Sequence, residues 1–374
     1  MNIAVVANSA WYLVNFRGRL MQALQAEGHR VLAIAPHDEH APRLAEAGID
    51  WVDWPLAASG THPWQELRSV WALRRLLAQH EIGLAFTYTP KANIYTGLAA
   101  RGLGLAHVPN VSGLGRAFID RTLLTRLVVA LYRVAFGRAR HVVFQNDDDR
   151  EEFVRAGLVD ASRTLRVPGS GVDLERFVPA PWPATAATDP VFLFVGRVLR
   201  DKGAREYAEA ARQVRQQVPG AQFRILGSVS ADNPTAIPAA EWQAWSAEGL
   251  IDLLGTTDDV RPHLARSHCV VLPSYREGVP RALLEAAAMA RPCIATDVPG
   301  CRDAVVDGQT GLLCAARDAD ALARTMLRFL AIGIDRWQAM GAAGRAHVEA
   351  NFDERQVIET YLRLARRESP AASS

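Results

Sequence analysis

The sequence predicts an α/β protein made of two doubly wound, parallel-sheet domains in tandem. Three observations carry this. The chain has 374 residues, about twice the size of a typical single domain. Short apolar runs alternate with stretches of helical periodicity, as in a parallel sheet covered on both faces. The alternation stops at a proline- and alanine-rich segment and then begins again.

The first run is "NIAVVA" (2–7), followed by a helix expected from about Asn15 to Glu27 and closed by Gly28. "RVLAIAP" (30–36), "GLAFTY" (83–88), "HVPNVS" (107–112) and "HVVFQ" (141–145) are further buried-strand runs, joined by helically spaced stretches. "VPAPWPATAATDP" (178–190) has little periodicity and reads as an interdomain linker. The pattern resumes with "VFLFVG" (191–196), a helix near 203–217, "QFRILG" (222–227), "IDLLG" (251–255), "CVVLPS" (269–274), a helix from Pro280 and "CIATDV" (293–298). A last helix, about 353–367, follows a completed second domain and is expected to pack back on the first. The expected domains are 1–178, with the returning helix at about 353–374, and 186–352.

Composition narrows the function. Hydrophobic residues at 49% and charged residues at 22% describe a globular protein. A net charge of +2 is too small for a dedicated nucleic-acid binder. The four cysteines form no C-x-x-C pair and read as reduced structural thiols. The start, "MNIAVVANSA", lacks a basic n-region and a long apolar run, so no signal peptide is expected. No apolar run reaches the ~18 residues of a spanning helix, so any membrane contact must be peripheral; with the reduced thiols, the expected location is cytoplasmic, peripheral at the inner face of the cell membrane.

Ligands of open parallel sheets sit beyond the carboxyl ends of the strands. The loops of interest are therefore 8–16, 88–92, 112–118, 196–203, 227–234, 255–259 and 274–280. "VFLFVGRVLRDKG" places Gly196 and Arg197 at a strand end and Lys202 before a helix, which suits a diphosphate clamp; two solvated surface charges are the alternative. "LPSYREGVPRALLE" places Gly278, Val279 and Pro280 at a helix mouth fit for an anion. Glu277 at that mouth can accept hydrogen bonds from hydroxyls, or serve only as an acid favoured by the helix dipole. Glu285 lies further in, among Ala282, Leu283, Leu284 and Ala286, where a lone carboxylate is costly. It must reach a cleft, where a ribose diol would satisfy it, or be paired, or sit on a solvated helix face.

"GRVLRDKG" with "EGVPRALLE" resembles the signature of the retaining glycosyltransferase family 4, whose GT-B architecture has two facing Rossmann-like domains. "GSGVDLERF" (169–177) resembles that family's Gly-Val-Asp segment. "NSAWYLVNFRGRL", "TYTPKANIYTGLAAR", "NVSGLGRAF" and "TTDDVRPHLARSHCVVLPSYREGVP" resemble a bacterial branch that builds lipid-linked oligosaccharides, capsule and O-antigen. The resemblance implies transfer of a hexose or N-acetylhexosamine, with retention, from a UDP-sugar to a saccharide on undecaprenyl diphosphate. It implies that Arg197 and Lys202 hold the donor diphosphate, that Glu277 contacts the donor sugar and that Glu285 binds the ribose. Gly196, Gly227, Thr257, Gly278, Val279 and Pro280 complete the implied donor site. Asn15, Lys91, Asn93, Ser112 and Gly113 fall on the acceptor side. Ser112 stands where many members carry a histidine, and His107, at the other end of its strand, reads as structural. No cofactor is expected beyond the nucleotide sugar itself.

"FQNDDDREEF" (144–153) invites a metal reading, but Asn146 reads as an N-cap with acids in the following turns, so no metal is expected. "RAFIDRTLLTRLVVALYRVAFGRAR" (116–140) sets Arg116, Arg121, Arg126, Arg133, Arg138 and Arg140 against Asp120, with leucines and valines between. Such a segment can lie on an anionic membrane, or pack on the sheet with a solvated basic face. Competing readings are a nucleotide-sugar 2-epimerase of the same architecture and a non-catalytic nucleotide-sugar binding module. A dehydrogenase is excluded because "ANSAWYLVNFRG" contains no G-x-G-x-x-G.

Overall fold

The computed structural model describes residues 1–56, 62–113, 123–183, 189–229 and 233–369, with the backbone alone at 123–125. The chain divides into two compact units, Met1–Ser170 with Arg355–Ser374, and Gly171–Glu354.

In the first unit the strands are β1 (Asn2–Val6), β2 (Arg30–Ala35), β3 (Asp50–Asp53), β4 (Leu84–Tyr88), β5 (Ala106–Val111), β6 (Val142–Phe144) and β7 (Thr164–Arg166). They form one parallel sheet in the order β3-β2-β1-β4-β5-β6-β7. β1 is apolar on both faces because both are covered. Ile3 and Val5 pack with Phe86 and Met21 on one face, and Ala4 and Val6 pack with Leu73 and Phe136 on the other. The first helix is Ala10–Ala26, five residues earlier than expected, because the Ser9 hydroxyl caps it by accepting the Tyr12 amide at 3.2 Å. The C-terminal helix Glu354–Glu368 covers the first face. Its Tyr361 hydroxyl accepts a hydrogen bond from Asn110 Nδ2 at 2.7 Å, and its Arg366 pairs with Glu27.

In the second unit the strands are β8 (Val191–Val195), β9 (Gln222–Leu226), β10 (Asp252–Leu253), β11 (Cys269–Leu272), β12 (Cys293–Thr296) and β13 (Gly311–Cys314). They form a parallel sheet in the order β10-β9-β8-β11-β12-β13. Phe192, Phe194 and Tyr207 lie in its core on one face, and Leu193, Leu272, Leu283 and Leu284 on the other.

The boundary lies before the expected linker. Val172 bridges Asp353 in parallel, its amide donating to the Phe352 carbonyl at 2.9 Å while its carbonyl accepts the Glu354 amide at 3.1 Å. Phe177 is buried. The Arg291 guanidinium donates to the carbonyls of Ala180 at 3.0 Å and Pro181 at 2.6 Å and packs on the Trp182 ring. Residues 171–183 are thus held by the second unit, and 184–188 of the expected linker lie outside the described residues.

Candidate active site

In the second unit the strand order reverses between β8 and β11, so the loops after these two strands flank one crevice. The loop after β8 runs through Gly196 and exposed Arg197 to a 3-10 turn, Arg200–Lys202, closed by Gly203. Gly203 has φ +75°, and a Cβ there would lie 2.1 Å from the Pro273 carbonyl oxygen. Only glycine lets the two loops approach this closely. The Tyr275 amide then donates to the Asp201 carbonyl at 3.0 Å, and the Tyr275 hydroxyl donates to Glu206 at 2.5 Å. So pinned, the loops bring Lys202 Nζ onto Glu277 Oε1, and the Ser274 hydroxyl donates to the same oxygen at 2.6 Å.

This arrangement has unused capacity. An ammonium carries three donors, and Glu277 takes one from Lys202. Glu277 Oε2 makes no hydrogen bond to a described residue, so it can accept from a hydroxyl. Arg197 makes no ion pair with a described residue. Two cations and an open carboxylate oxygen therefore sit on adjoining loops at the crossover.

The neighbouring loops are held close. The Gly227 amide donates to the Gly255 carbonyl at 2.7 Å, and a Cβ on Gly227 would fall 1.9 Å from the Gly196 carbonyl oxygen. Exposed Thr257 exchanges hydrogen bonds of 3.1 Å with the Asp259 backbone through its hydroxyl. The following helix is Arg281–Ala288, and Pro280 is its N-cap, with ψ 112°, instead of its first-turn residue. Gly278 is buried and Val279 half-buried at that mouth. Glu285 is buried and paired with Arg281 Nε at 2.7 Å, one turn back. Burial pushes its pKa up and Arg281 opposes the shift. The carboxylate among alanines is thus paired within its own helix. Arg281 and Ser274 were not singled out from sequence. The i,i+4 spacing of Arg281 and Glu285 was the available signal for the first; a hydroxyl directly after a strand is too common to mark the second.

The first-unit candidates do not form one cluster. Asn15 is within the first helix and donates to the Trp11 carbonyl at 2.9 Å. Lys91 begins the helix Pro90–Ala99 and pairs with Glu66 at 2.7 Å. Asn93 is buried; it accepts from Thr87 at 2.8 Å and donates to the Asn110 carbonyl at 2.7 Å, so its amide ties β4 to β5. Ser112 and Gly113 follow β5 and are half-buried. Residues 114–118 of that loop and 230–232 of the loop after β9 lie outside the described residues. His107 is buried beside Thr87 at 3.0 Å, and burial pushes its pKa down to about 3. Asn146 caps the helix Asp147–Arg155, its Oδ1 accepting the Asp149 amide at 2.8 Å, while Asp147 faces Arg150 and Arg166.

Residues 189–331 match the family model "Glycosyl transferases group 1", and residues 15–170 match "Glycosyl transferase 4-like domain". The chain is a glycosyltransferase with a group 1 domain and a 4-like domain. Over 97% of its length this glycosyltransferase is 25% identical to N,N'-diacetylbacillosaminyl-diphospho-undecaprenol alpha-1,3-N-acetylgalactosaminyltransferase of Campylobacter jejuni, covering 98% of that protein. It is 27% identical over 71% of its length to UDP-Gal:alpha-D-GlcNAc-diphosphoundecaprenol alpha-1,3-galactosyltransferase of Escherichia coli, covering 70% of that protein. Among solved structures, sucrose-phosphate synthase from Thermosynechococcus elongatus superposes with a TM-score of 0.80 at 21% identity, with 98% of each chain covered, so the two share a fold.

Proposed function

We propose that this glycosyltransferase moves a hexose or N-acetylhexosamine from a UDP-sugar to a saccharide on undecaprenyl diphosphate, with retention and without a divalent metal. The observation that carries the reading is the Lys202–Glu277–Ser274 cluster with Arg197 on the adjoining loop, at the crossover of the unit that matches the group 1 model. As the sugar–phosphate bond breaks, negative charge grows on the departing diphosphate. Lys202 and Arg197 meet that charge with fixed cations, the role a metal ion takes elsewhere. Glu277 Oε2 takes a hydroxyl of the donor sugar, and Glu285 takes the ribose, with Arg281 beside it opposing the upward pKa shift that burial imposes.

The names of both relatives specify a diphospho-undecaprenol acceptor and an α linkage, and one specifies UDP-galactose. An α-linked nucleotide sugar yields an α product only with net retention. No helix among the described residues is long and apolar enough to cross a membrane. We place the enzyme at the cytoplasmic face of the membrane, drawn to its acceptor through the basic stretch 116–140. In that stretch 116–122, and the side chains of Leu123 and Leu124, lie outside the described residues.

The test is a panel of nucleotide sugars, read by released nucleoside diphosphate, with and without a bacterial lipid fraction. Lipid-dependent release from a UDP-sugar supports the reading. Isomerised donor would point to the epimerase, and binding without turnover to a non-catalytic module.

A further inference from the structure

Nine large apolar side chains are exposed among the described residues, and five of them sit on two helices of the first unit. Trp64, Leu67 and Trp71 belong to the helix Pro63–Gln79, and Leu127 and Val134 to the helix Leu123–Phe136. Both helices, with Pro90–Ala99 between them, cover the same face of the sheet. Trp64 is 72% exposed and Trp71 65%, two turns apart. Arg68 and Arg75, also exposed, share their side of the helix at i+4 and i+11 from Trp64. Exposed Arg126 and Arg133 each stand one position before exposed Leu127 and Val134.

The charge on this layer has one sign. The three helices contain one acid, Glu66, and it is engaged by Lys91 and the Tyr95 hydroxyl. Beside Val134, whose carbonyl accepts from Arg101 at 3.1 Å, a recess of about 520 Å³ is lined by Arg101, Arg138, Arg140 and Arg163. Of these, Arg140 is matched by Glu368 at 3.5 Å. Tryptophan rings favour the boundary between lipid headgroups and acyl chains, and arginines around them favour anionic headgroups. Large apolar side chains exposed together along one helix, as Trp64, Leu67 and Trp71 are, mark an interaction surface.

We infer that this helix layer is the surface on which the first unit lies against an anionic lipid bilayer, with Trp64 and Trp71 as its interfacial anchors. The inference extends the membrane contact from the arginine-rich stretch to a helix on which sequence reading placed no function. It rests on the proposed function for the reason an enzyme would meet a bilayer, namely an acceptor held there. Glu66, on the anchoring helix, pairs with Lys91 in the first turn of the helix that follows β4, so an ion pair links the docking helix to the acceptor-side element.

The test uses the full chain and vesicles of phosphatidylglycerol with phosphatidylcholine, without donor or acceptor. The protein should bind these vesicles at low salt and not pure phosphatidylcholine, and its tryptophan emission should be quenched by brominated acyl chains. Trp64→Ser with Trp71→Ser should weaken binding ~10-fold or more and remove most of the quenching. Arg126→Glu with Arg133→Glu should weaken binding and flatten its salt dependence. Val178→Ser with Ile332→Ser, also exposed but in the second unit, should bind as wild type. Melting curves confirm that each variant is folded. Absence of binding at low salt, or unchanged binding by the double tryptophan variant, overturns the inference. So does a wild-type dimer that the double tryptophan variant abolishes, which would assign the face to a second copy. A wild-type protein that transfers sugar to a soluble acceptor yet binds no vesicles removes this surface alone; a wild-type protein that binds vesicles but transfers nothing removes the proposed function alone.

Discussion

Replacing Lys202 and Arg197 by alanine, one at a time, separates two effects that the site geometry keeps apart. Lys202 is in contact with Glu277, and the two side chains are 26% and 12% exposed. Arg197 is exposed and unpaired among the described residues. At an effective dielectric of about 20, a pair at about 4 Å attracts by about 4 kcal/mol before desolvation. Losing one partner of a partly screened pair leaves a net cost of about 1–3 kcal/mol. For a unit of this size that is a fall in Tm of roughly 3–10 °C. Lys202→Ala should therefore lose both stability and turnover, while Arg197→Ala should lose turnover at an unchanged Tm. Each should lower kcat ~10²-fold or more, as for other losses of a charge-stabilising donor. The assays are a thermal melt by circular dichroism and initial rates of nucleoside diphosphate release. Near-normal turnover in Lys202→Ala would refute the assigned role. An equal Tm loss in Arg197→Ala would refute the structural asymmetry behind it.

Gly227→Ala should disrupt the donor side, because its Cβ would fall 1.9 Å from the Gly196 carbonyl; a loss of about 1–3 kcal/mol in urea melts is expected, with turnover falling alongside. Transfer should survive excess chelator, and loss restored by magnesium or manganese would contradict the metal-free reading. His107 is held neutral, with a pKa of about 3 against 6.5 when free. Its folded pKa is depressed, so protonation favours the unfolded chain. Stability is then full above pH 6.5 and declines as the pH falls toward 3, by up to ~1.4 kcal/mol per pH unit from this group. Urea melts at pH 7 and pH 5 should show the decline, and His107→Gln should reduce it; an unchanged decline in that variant would assign the effect elsewhere.

Legibility in the sequence followed burial. The strands read from apolar runs are mostly those flanked on both sides in the sheets. The missed ones, β3 ("DWVD"), β7 ("TLR") and β13 ("GLLC"), are all edge strands. An edge strand can be short and charged because it is paired on one side only. The first helix was placed late because nothing in "WYLV" distinguishes helix from strand, while the Ser9 cap is a single hydroxyl. The structure brings Arg197, Lys202 and Glu277 to adjoining loops because the two short stretches that carry them follow neighbouring strands at one crossover. The pairing of Lys202 with Glu277 was not legible, since it depends on a glycine packing against the Pro273 carbonyl 70 residues away in sequence. Asn93 shows the opposite failure: a polar residue near a strand end reads as a ligand contact, yet it is buried and spent on the sheet.

The central claim is transfer, with retention, from a UDP-sugar to a diphosphate-linked lipid saccharide. It is tested most directly by incubating the full chain with a UDP-sugar bearing a ¹³C-labelled anomeric carbon and an undecaprenyl-diphosphate saccharide. The labelled product is then read by nuclear magnetic resonance. The account predicts a lipid-linked product whose new glycosidic carbon has the α configuration of the donor, formed in the presence of chelator. A β-linked product, or label recovered only as free or isomerised sugar across the whole panel of UDP-sugars, would contradict it.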